Sequence, residues 1–576
     1  MIKLFKNISK KEILFIIISI GFILIQVLLD LRLPDYMSNI TKLVQTEGSA
    51  HDILIEGEKM LLCAFLSLGT SFLVAYFATY LASSFGEKTR GKVYRKVLSF
   101  SLSEIKEFSV SSLITRTTND VGQIQMLISF GLQALIKAPI MATLAIIKIA
   151  GKNFSFSLLT FISVVLLLIL IVTIICLVMP KFKIIQKLTD NLNRITRENL
   201  TGIRVIRAFN AEDYQNNKFN LANNELTNTT LFTGRVMGIM SPFMTLLTST
   251  LTLSIYIVGA ILINEANILD KITIFSDMVV FSSYAMQVIM SFMMLVMIFL
   301  IYPRASVSAN RINEVLDRKI LISDGNLEYV KPIGTIEFKG VTFKYPDANE
   351  AMLHDINFKV KKGETVGIIG GTGSGKSSLI NLIPRFYDVT SGSVLIDGVD
   401  VKDYKLSVLY EKIGYVSQKA VMFQGSVSDN VGYGSHATEK NILDAIKISQ
   451  AQDFVEKMDS GINSHIARGG TNISGGQKQR LSIARAIAKN PEFYIFDDTF
   501  SALDNETDLR LRKELKKNTK DKTILIVASR IGTIINADKI IVLDKGCIVG
   551  IGTHDELLKK CKVYQEIAKS QLGEDL

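Results

Sequence analysis

Cysteine is scarce in this chain, with four residues in 576: Cys63, Cys176, Cys547 and Cys561. They are scattered, two of them in apolar stretches, with no C-x-x-C and no paired spacing, so neither a disulfide framework nor a zinc site follows from them. Histidine is nearly as rare, at His51, His354, His436, His465 and His554, a shortage that matters below. Also missing is an A-x-A-like exit behind the first apolar run, about Ile13 to Leu29. That run is longer than the apolar segment of a secretory signal and more runs follow it, so it reads as a retained membrane helix. Acidic residues do not balance basic ones, and 54 against 65 leave a formal charge of +11. Many of the Lys and Arg residues lie beside apolar runs, where they face anionic lipid headgroups, so no nucleic-acid partner is expected.

Apolar residues, in contrast, are abundant, at 48% of the chain, and they cluster in the first three hundred positions. Runs of span length recur at roughly 60–82, 130–150, 156–179, 236–263 and 274–302, which with the first predicts six transmembrane helices. Basic clusters follow the second run (Lys88, Arg90, Lys92, Arg95, Lys96) and the fourth (Lys181, Lys183, Lys187, Arg194, Arg197, Arg204, Arg207). The segments 35–56, 151–155 and 264–273 carry few. The positive-inside rule then places both termini and the two long loops, 83–129 and 180–235, in the cytoplasm of a multi-pass protein of the cytoplasmic membrane. Those loops are polar and helix-compatible, so helices are expected to continue beyond the bilayer. Few ionisable residues lie deep in the spans; Lys137 and Lys148 are candidates, with Lys137 expected near an interface. Met286, Met290, Met293 and Met297 share one helical face of the last span, a pattern that serves either an adaptable apolar cavity or plain bundle packing.

The predicted division is a cytoplasmic N-terminus at 1–12, a six-helix membrane domain at 13–303, a charged linker at 304–332 and an α/β nucleotide-binding domain at 333–576. In the last of these, the apolar strand Thr365 to Ile369 runs into Gly370-Gly371-Thr372-Gly373-Ser374-Gly375-Lys376-Ser377 and then an apolar helix. This is G-x-x-x-x-G-K-[ST] in its strand–turn–helix setting. Glycines let backbone N–H groups turn inward around a β-phosphate, Lys376 reaches the β/γ-phosphates, and the Ser377 hydroxyl is offered to Mg²⁺. Downstream, Phe493 to Phe496 is a short apolar run that ends on Asp497, the form of a carboxylate that holds Mg²⁺ beside such a loop. Between them, Ser474-Gly475-Gly476-Gln477 opens an apparent helix and offers a second anion site.

In this order these residues resemble the ATP-binding cassette family, and the apolar half resembles the six-helix membrane domain of its exporter branch. The resemblance covers nearly the whole chain. It implies that Tyr345 stacks on adenine, that Gln418 senses Mg²⁺ and the membrane domain, that Ile473-Ser474-Gly475-Gly476-Gln477 is the signature, and that Ser501-Ala502-Leu503-Asp504 is the D-loop. Ser112 to Arg116 with Asn119 and Asp120 looks like the first coupling region, and Glu198 to Phe209 like the second. One cassette leaves the γ-phosphate of ATP open until a second cassette closes over it with its own Ser-Gly-Gly, so a partner half-transporter chain is implied.

The departures carry the finer reading. After the metal Asp the family places a catalytic Glu, and here stands Asp498; at the end of the strand Thr523 to Ala528 it places a His, and here stands Ser529. None of the five histidines is positioned to replace it. Arg468 also stands where exporters carry Glu. The signature is intact, and it serves the partner's site. The expectation is therefore one subunit of a heterodimeric exporter, itself holding a degenerate site, that moves a hydrophobic or amphiphilic substrate such as a drug, lipid or peptide. The rival expectation is a nucleotide-responsive regulatory or channel-like membrane protein that binds ATP without pumping.

Overall fold

A computed structural model of the protein describes residues 2–5, 9–150 and 154–572. The N-terminal segment predicted at 1–12, the short loop at 151–155 and the end of the C-terminal domain fall partly outside the described residues. The chain divides into two units, Met1–Leu98 with Ser111–Arg318, and Ser99–Val110 with Lys319–Leu576.

The first unit is helical. In chain order come α1 (Lys10–Gln45) and α2 (Ala50–Leu98), then the short α3 (Leu102–Phe108), which belongs to the second unit. The first unit resumes with α4 (Val110–Ile149), α5 (Phe154–Thr201), α6 (Ile203–Ala208), α7 (Glu212–Glu265) and α8 (Ile268–Asp317). The helix α8 includes 304–317, which the sequence places in the charged linker. Six of these helices are long and apolar enough to cross a membrane, at 36 to 54 residues. At a rise of 1.5 Å per residue they reach about 54–81 Å against a hydrocarbon core of about 30 Å, so each continues well past the lipid. Uninterrupted Leu, Ile and Phe select helix here because in lipid every backbone polar group has to be satisfied within its own segment. The bundle closes on Phe156, Phe281 and Tyr284, all fully buried, with the two phenylalanine rings 5.2 Å apart. Phe65, Leu68 and Phe72 of α2 and Phe161 of α5 face outward, a surface suited to lipid and not to water.

Both lysines flagged in the spans have carboxylate partners on α1. Lys137 ends a π-turn in α4 (Gln133–Lys137) and lies 3.2 Å from Asp30, and Lys148 lies 2.7 Å from Asp35. The apolar run of the first span stops at Leu29, which is why neither acid stands out in the sequence.

Among the described residues the second unit holds three sheets, the smallest of them the short pair Gly425–Ser426 with His465–Ile466. Strands β1 (Ile336–Phe343), β2 (Leu353–Val360), β4 (Ser391–Ile396) and β5 (Val399–Asp400) form an antiparallel sheet in the order β2-β1-β4-β5. Strands β3 (Thr365–Gly370), β6 (Ile413–Val416), β7 (Phe493–Asp497), β8 (Thr523–Val527), β9 (Lys539–Asp544) and β10 (Cys547–Gly552) form the core sheet, ordered β10-β9-β3-β8-β7-β6. All pairs are parallel except the β9–β10 edge. The register matters most. Val527 pairs with both Ile368 and Asp497, and Val416 pairs with Phe496, so β3, β6, β7 and β8 end together. In open α/β sheets ligands bind off those carboxyl ends.

Candidate functional site

Everything the core sheet delivers to that edge is short in sequence and polar. Strand β3, buried at Val366, Ile368 and Ile369, ends at Gly370, and α9 (Lys376–Asn381) begins six residues later. The turn between them depends on glycine at two points. Gly375 has φ +97°, and a Cβ there would sit 2.7 Å from a Leu353 methyl; Gly370 would place a Cβ against the Leu543 carbonyl. Around Gly371 and Gly373 there is open space.

The Lys376 ammonium folds back over the loop and donates to the carbonyl oxygens of Gly370 and Gly371, both at 2.8 Å. Burial pushes its pKa down, against the pull of the Asp498 and Asp497 carboxylates. The Ser374 hydroxyl is buried without a hydrogen-bond partner, as a loop built to receive an additional polar group would leave it.

Ser377 donates to Asp497 Oδ1 at 3.1 Å, and Tyr415 at the end of β6 approaches Asp497 Oδ2 at 3.5 Å. Burial pushes the Asp497 carboxyl up, opposed by the Ser377 bond. Gln418, two residues beyond β6, donates to Asp498 Oδ2 at 3.3 Å. Asp498 itself adopts a left-handed conformation at φ 46°, which Asp tolerates better than most residues. Its other oxygen accepts from the Ser529 hydroxyl at 2.9 Å and the Ser529 amide at 3.2 Å. Ser377, Asp497 and Asp498 thus gather hard oxygen atoms at one sheet edge with the Gln418 side-chain amide beside them, a donor set that fits a small divalent cation such as Mg²⁺.

Tyr345 lies beyond the end of β1. Its hydroxyl shares a 2.9 Å hydrogen bond with Ser378 of α9, and its ring meets Phe343 and Tyr387 edge-on at 4.7 and 5.2 Å. The predicted residues on the loop, Tyr345, Gln418, Asp497, Asp498 and Ser529 are therefore joined by hydrogen bonds and strand register. The stretch Ser474 to Gln477 is organised differently. Ser474 caps α10 (Gly475–Ala488), its hydroxyl accepting from the Gln477 amide at 3.3 Å, while Gln477 Oε1 accepts from the Ser474 amide at 2.8 Å. These bonds stay within the helix start, and Gly475 has nothing within 4 Å of where a Cβ would be.

Tyr415, Ser378 and Tyr387 are not singled out by the sequence, since each meets its partner only in the tertiary fold, Tyr415 from β6, Ser378 from α9 and Tyr387 from the segment that follows α9. The segment Ser99–Val110 is also missed as part of the cassette unit, because 112–120 carries the strings that resemble a coupling region. The signal available was a capping box, Ser101 with Glu104 three residues on, which the structure bears out at the start of α3.

Comparison with known proteins decides the family. The model for the ABC transporter transmembrane region matches residues 16–303, and that for the ABC transporter matches 353–501. An uncharacterized ABC transporter ATP-binding protein of Mycobacterium tuberculosis is 37% identical over 557 residues, covering 95% of this chain and 94% of that protein. The chain belongs to the ABC transporter family.

More narrowly it is an ABC exporter half-transporter, a membrane domain fused to one cassette. An ATP-dependent lipid A-core flippase of Syntrophus aciditrophicus is 31% identical over 521 residues, covering 87% of this chain and 83% of the flippase. A bacterial Atm1-family ABC exporter with ATP bound shares the fold, with a TM-score of 0.79 over 98% of this chain and 99% of that one at 23% identity. As an ABC exporter the protein is a multi-pass membrane protein that couples ATP hydrolysis to transport, and proteins of this kind act as dimers. An ABC ATPase domain binds ATP, normally with Mg²⁺.

Proposed function

We propose that this half-transporter pairs with a different chain of its family, holds ATP at a catalytically weak site of its own, and completes the working site of its partner. The observation that carries this reading is the Asp498–Ser529 pair. The position of a general base and the position of a γ-phosphate ligand are occupied by two short side chains that bond to each other at 2.9 Å. Asp498 is one methylene shorter than Glu, and a displacement of about an ångström at a catalytic group costs on the order of a hundredfold in rate.

In this reading the residues divide by role. Backbone amides of Gly370 to Gly375 with Lys376 hold the phosphates, Tyr345 takes the adenine, and Ser377, Gln418 and Asp497 hold Mg²⁺, whose charge neutralises the triphosphate when bound. Ser474, Gly475, Gly476 and Gln477 serve the nucleotide on the partner's loop. Ser474 and Gly475 are exposed and Gly476 and Gln477 half-buried, with bonds confined to the helix start, which suits a surface completed by a second chain. So does the apolar surface of the second coupling region, where Leu200, Val205 and Phe209 are exposed by 60% or more. ATP drives transport only because it binds the closed pair of cassettes better than the open one.

The domain bounds of the sequence reading, a membrane domain at 13–303 and a cassette at 333–576, are kept here, although α8 runs on to Asp317 and Ser99–Val110 groups with the cassette. Basic residues beside the spans support a cytoplasmic-membrane protein with both termini in the cytoplasm. The outward apolar bundle, its methionine-rich last span and the lipid A-core flippase among the relatives support an amphiphilic substrate.

Inside-out vesicles that contain the chain and its co-purifying partner test this reading. ATP-dependent accumulation of a labelled amphiphile in the lumen, lost on removing the partner, is the expected result. Nucleotide-dependent conductance without accumulation would replace transport by regulation.

A further inference from the structure

The short helix α3 belongs to the cassette unit although it lies between two membrane helices in sequence. It is anchored at its start. Glu104, fully buried, accepts from the Ser101 amide at 2.8 Å and from the Leu321 amide at 2.7 Å. Phe100 and Phe108 stack at 5.8 Å across its length. A helix fixed in this way holds the residues of its last turn in place, and one of them is Lys106.

The Lys106 ammonium lies 5.3 Å from the centre of the Tyr345 ring and 5.9 Å from that of Tyr387, within the range of a cation–π contact to both. The two rings are nearly perpendicular, at 85°, and form a concave aromatic corner. Tyr387 is buried, as is Phe343 behind Tyr345, whereas Tyr345 is half-buried and Lys106 is exposed. The lysine therefore lies over both rings of the corner. A stacked base needs that same face of Tyr345, and a ring face cannot hold a base and an ammonium together. Stacking is the stronger of the two interactions, so a base displaces the lysine and loses part of its own gain in doing so.

We propose that Lys106 competes with the nucleotide base for the Tyr345–Tyr387 aromatic face, and so sets how much the base adds to nucleotide affinity. This rests on the reading of Tyr345 as the base-stacking residue. It adds a specificity element from outside the cassette sequence proper. It also makes base binding, as distinct from phosphate binding, the event that releases the Lys106 side chain from the site.

The test is equilibrium binding to the full-length protein in lipid nanodiscs under non-hydrolysing conditions, with ATP and with inorganic tripolyphosphate as a base-free probe. Lys106→Ala is expected to raise ATP affinity about two- to fivefold, the size of an exposed cation–π contact, while tripolyphosphate affinity stays unchanged. Lys106→Arg keeps a cation over the rings and stacks at least as well, so ATP affinity does not rise above wild type. In a Tyr345→Ala background, Lys106→Ala has no effect. If Tyr345→Ala leaves ATP affinity unchanged, the stacking reading falls and takes the competition with it. If Tyr345→Ala weakens ATP binding but Lys106→Ala leaves it unchanged or weakens it too, the competition alone is overturned.

Discussion

Ser529 donates its hydroxyl to Asp498 Oδ1 at 2.9 Å, and its amide reaches the same oxygen at 3.2 Å. Two residues that depart from the family pattern are thus partners. The Asp498 carboxylate is turned toward the end of β8 and the Ser529 side chain at that end holds it; in the proposed reading these are the positions of the base and of the γ-phosphate ligand. Breaking this bond alone supplies neither a longer carboxylate nor an imidazole. Ser529→Ala is therefore expected to leave steady-state ATPase of the assembled transporter within about twofold of wild type. A loss of tenfold or more, measured by phosphate release, would show that the pair is catalytic as it stands.

Lys376 and Ser474 serve different sites in this account, which separates their variants. Lys376→Ala removes charge-assisted contacts to the phosphates, so nucleotide binding at this chain's own site falls by about ten- to a hundredfold. Turnover of the pair falls less, because the competent site is built on the partner's loop. Ser474→Ala reduces turnover more than Lys376→Ala does, with binding at this chain's own site unchanged. Photolabelling with a nucleotide analogue, read chain by chain beside ATPase, makes the comparison; equal losses of turnover would contradict the asymmetry.

Glu104 ties α3 to Leu321, and its carboxyl titrates below the usual carboxylate value. Burial raises it, but the hydrogen bonds from Ser101 and the Leu321 amide outweigh that effect. A depressed carboxyl stabilises the fold above its ordinary value of 4.5 and loses that contribution as pH falls through the lowered one. Glu104→Gln is expected to speed hydrogen exchange of the Leu321 amide about ten- to a hundredfold at neutral pH. The difference from wild type shrinks as pH is lowered below about 4.5. Exchange followed by mass spectrometry reads both.

Lys412 is buried between two acids, 2.9 Å from Asp397 and 2.8 Å from Glu492, and Asp397 also accepts from the amides of Ile333, Gly334 and Thr335 at the start of the cassette. Lys412→Met strands the Asp397 charge, so the cassette loses on the order of 3–5 kcal/mol of stability. The double variant Asp397→Asn with Lys412→Met recovers part of it. Chemical denaturation followed by tyrosine fluorescence measures both changes.

The parts of the site that were legible in sequence are those whose chemistry is local. Gly370 to Ser377 needs glycine where φ is positive and Lys-Ser at the helix start, and the Ser474–Gln477 capping box is closed within four residues. Asp497 was legible only as a carboxylate after an apolar strand. What could not be read is whatever the sheet assembles. The approach of Tyr415 to Asp497 and the bond between Asp498 and Ser529 follow from β6, β7 and β8 ending in register, and the bond of Ser378 to Tyr345 from α9 meeting the chain beyond β1 of the other sheet. The acids Asp30 and Asp35 escaped because α1 outruns its apolar stretch by sixteen residues, from Leu29 to Gln45.

The most direct test of the central claim is ATP hydrolysis by this chain purified alone, assembled as a homodimer in lipid, beside the Asp498→Glu, Ser529→His double variant. A positioned base or acid contributes about 10²–10⁴-fold to a rate, so the unmodified homodimer is expected to turn over near background and the double variant at least about tenfold faster. Hydrolysis by the unmodified homodimer equal to that of the double variant would contradict the account.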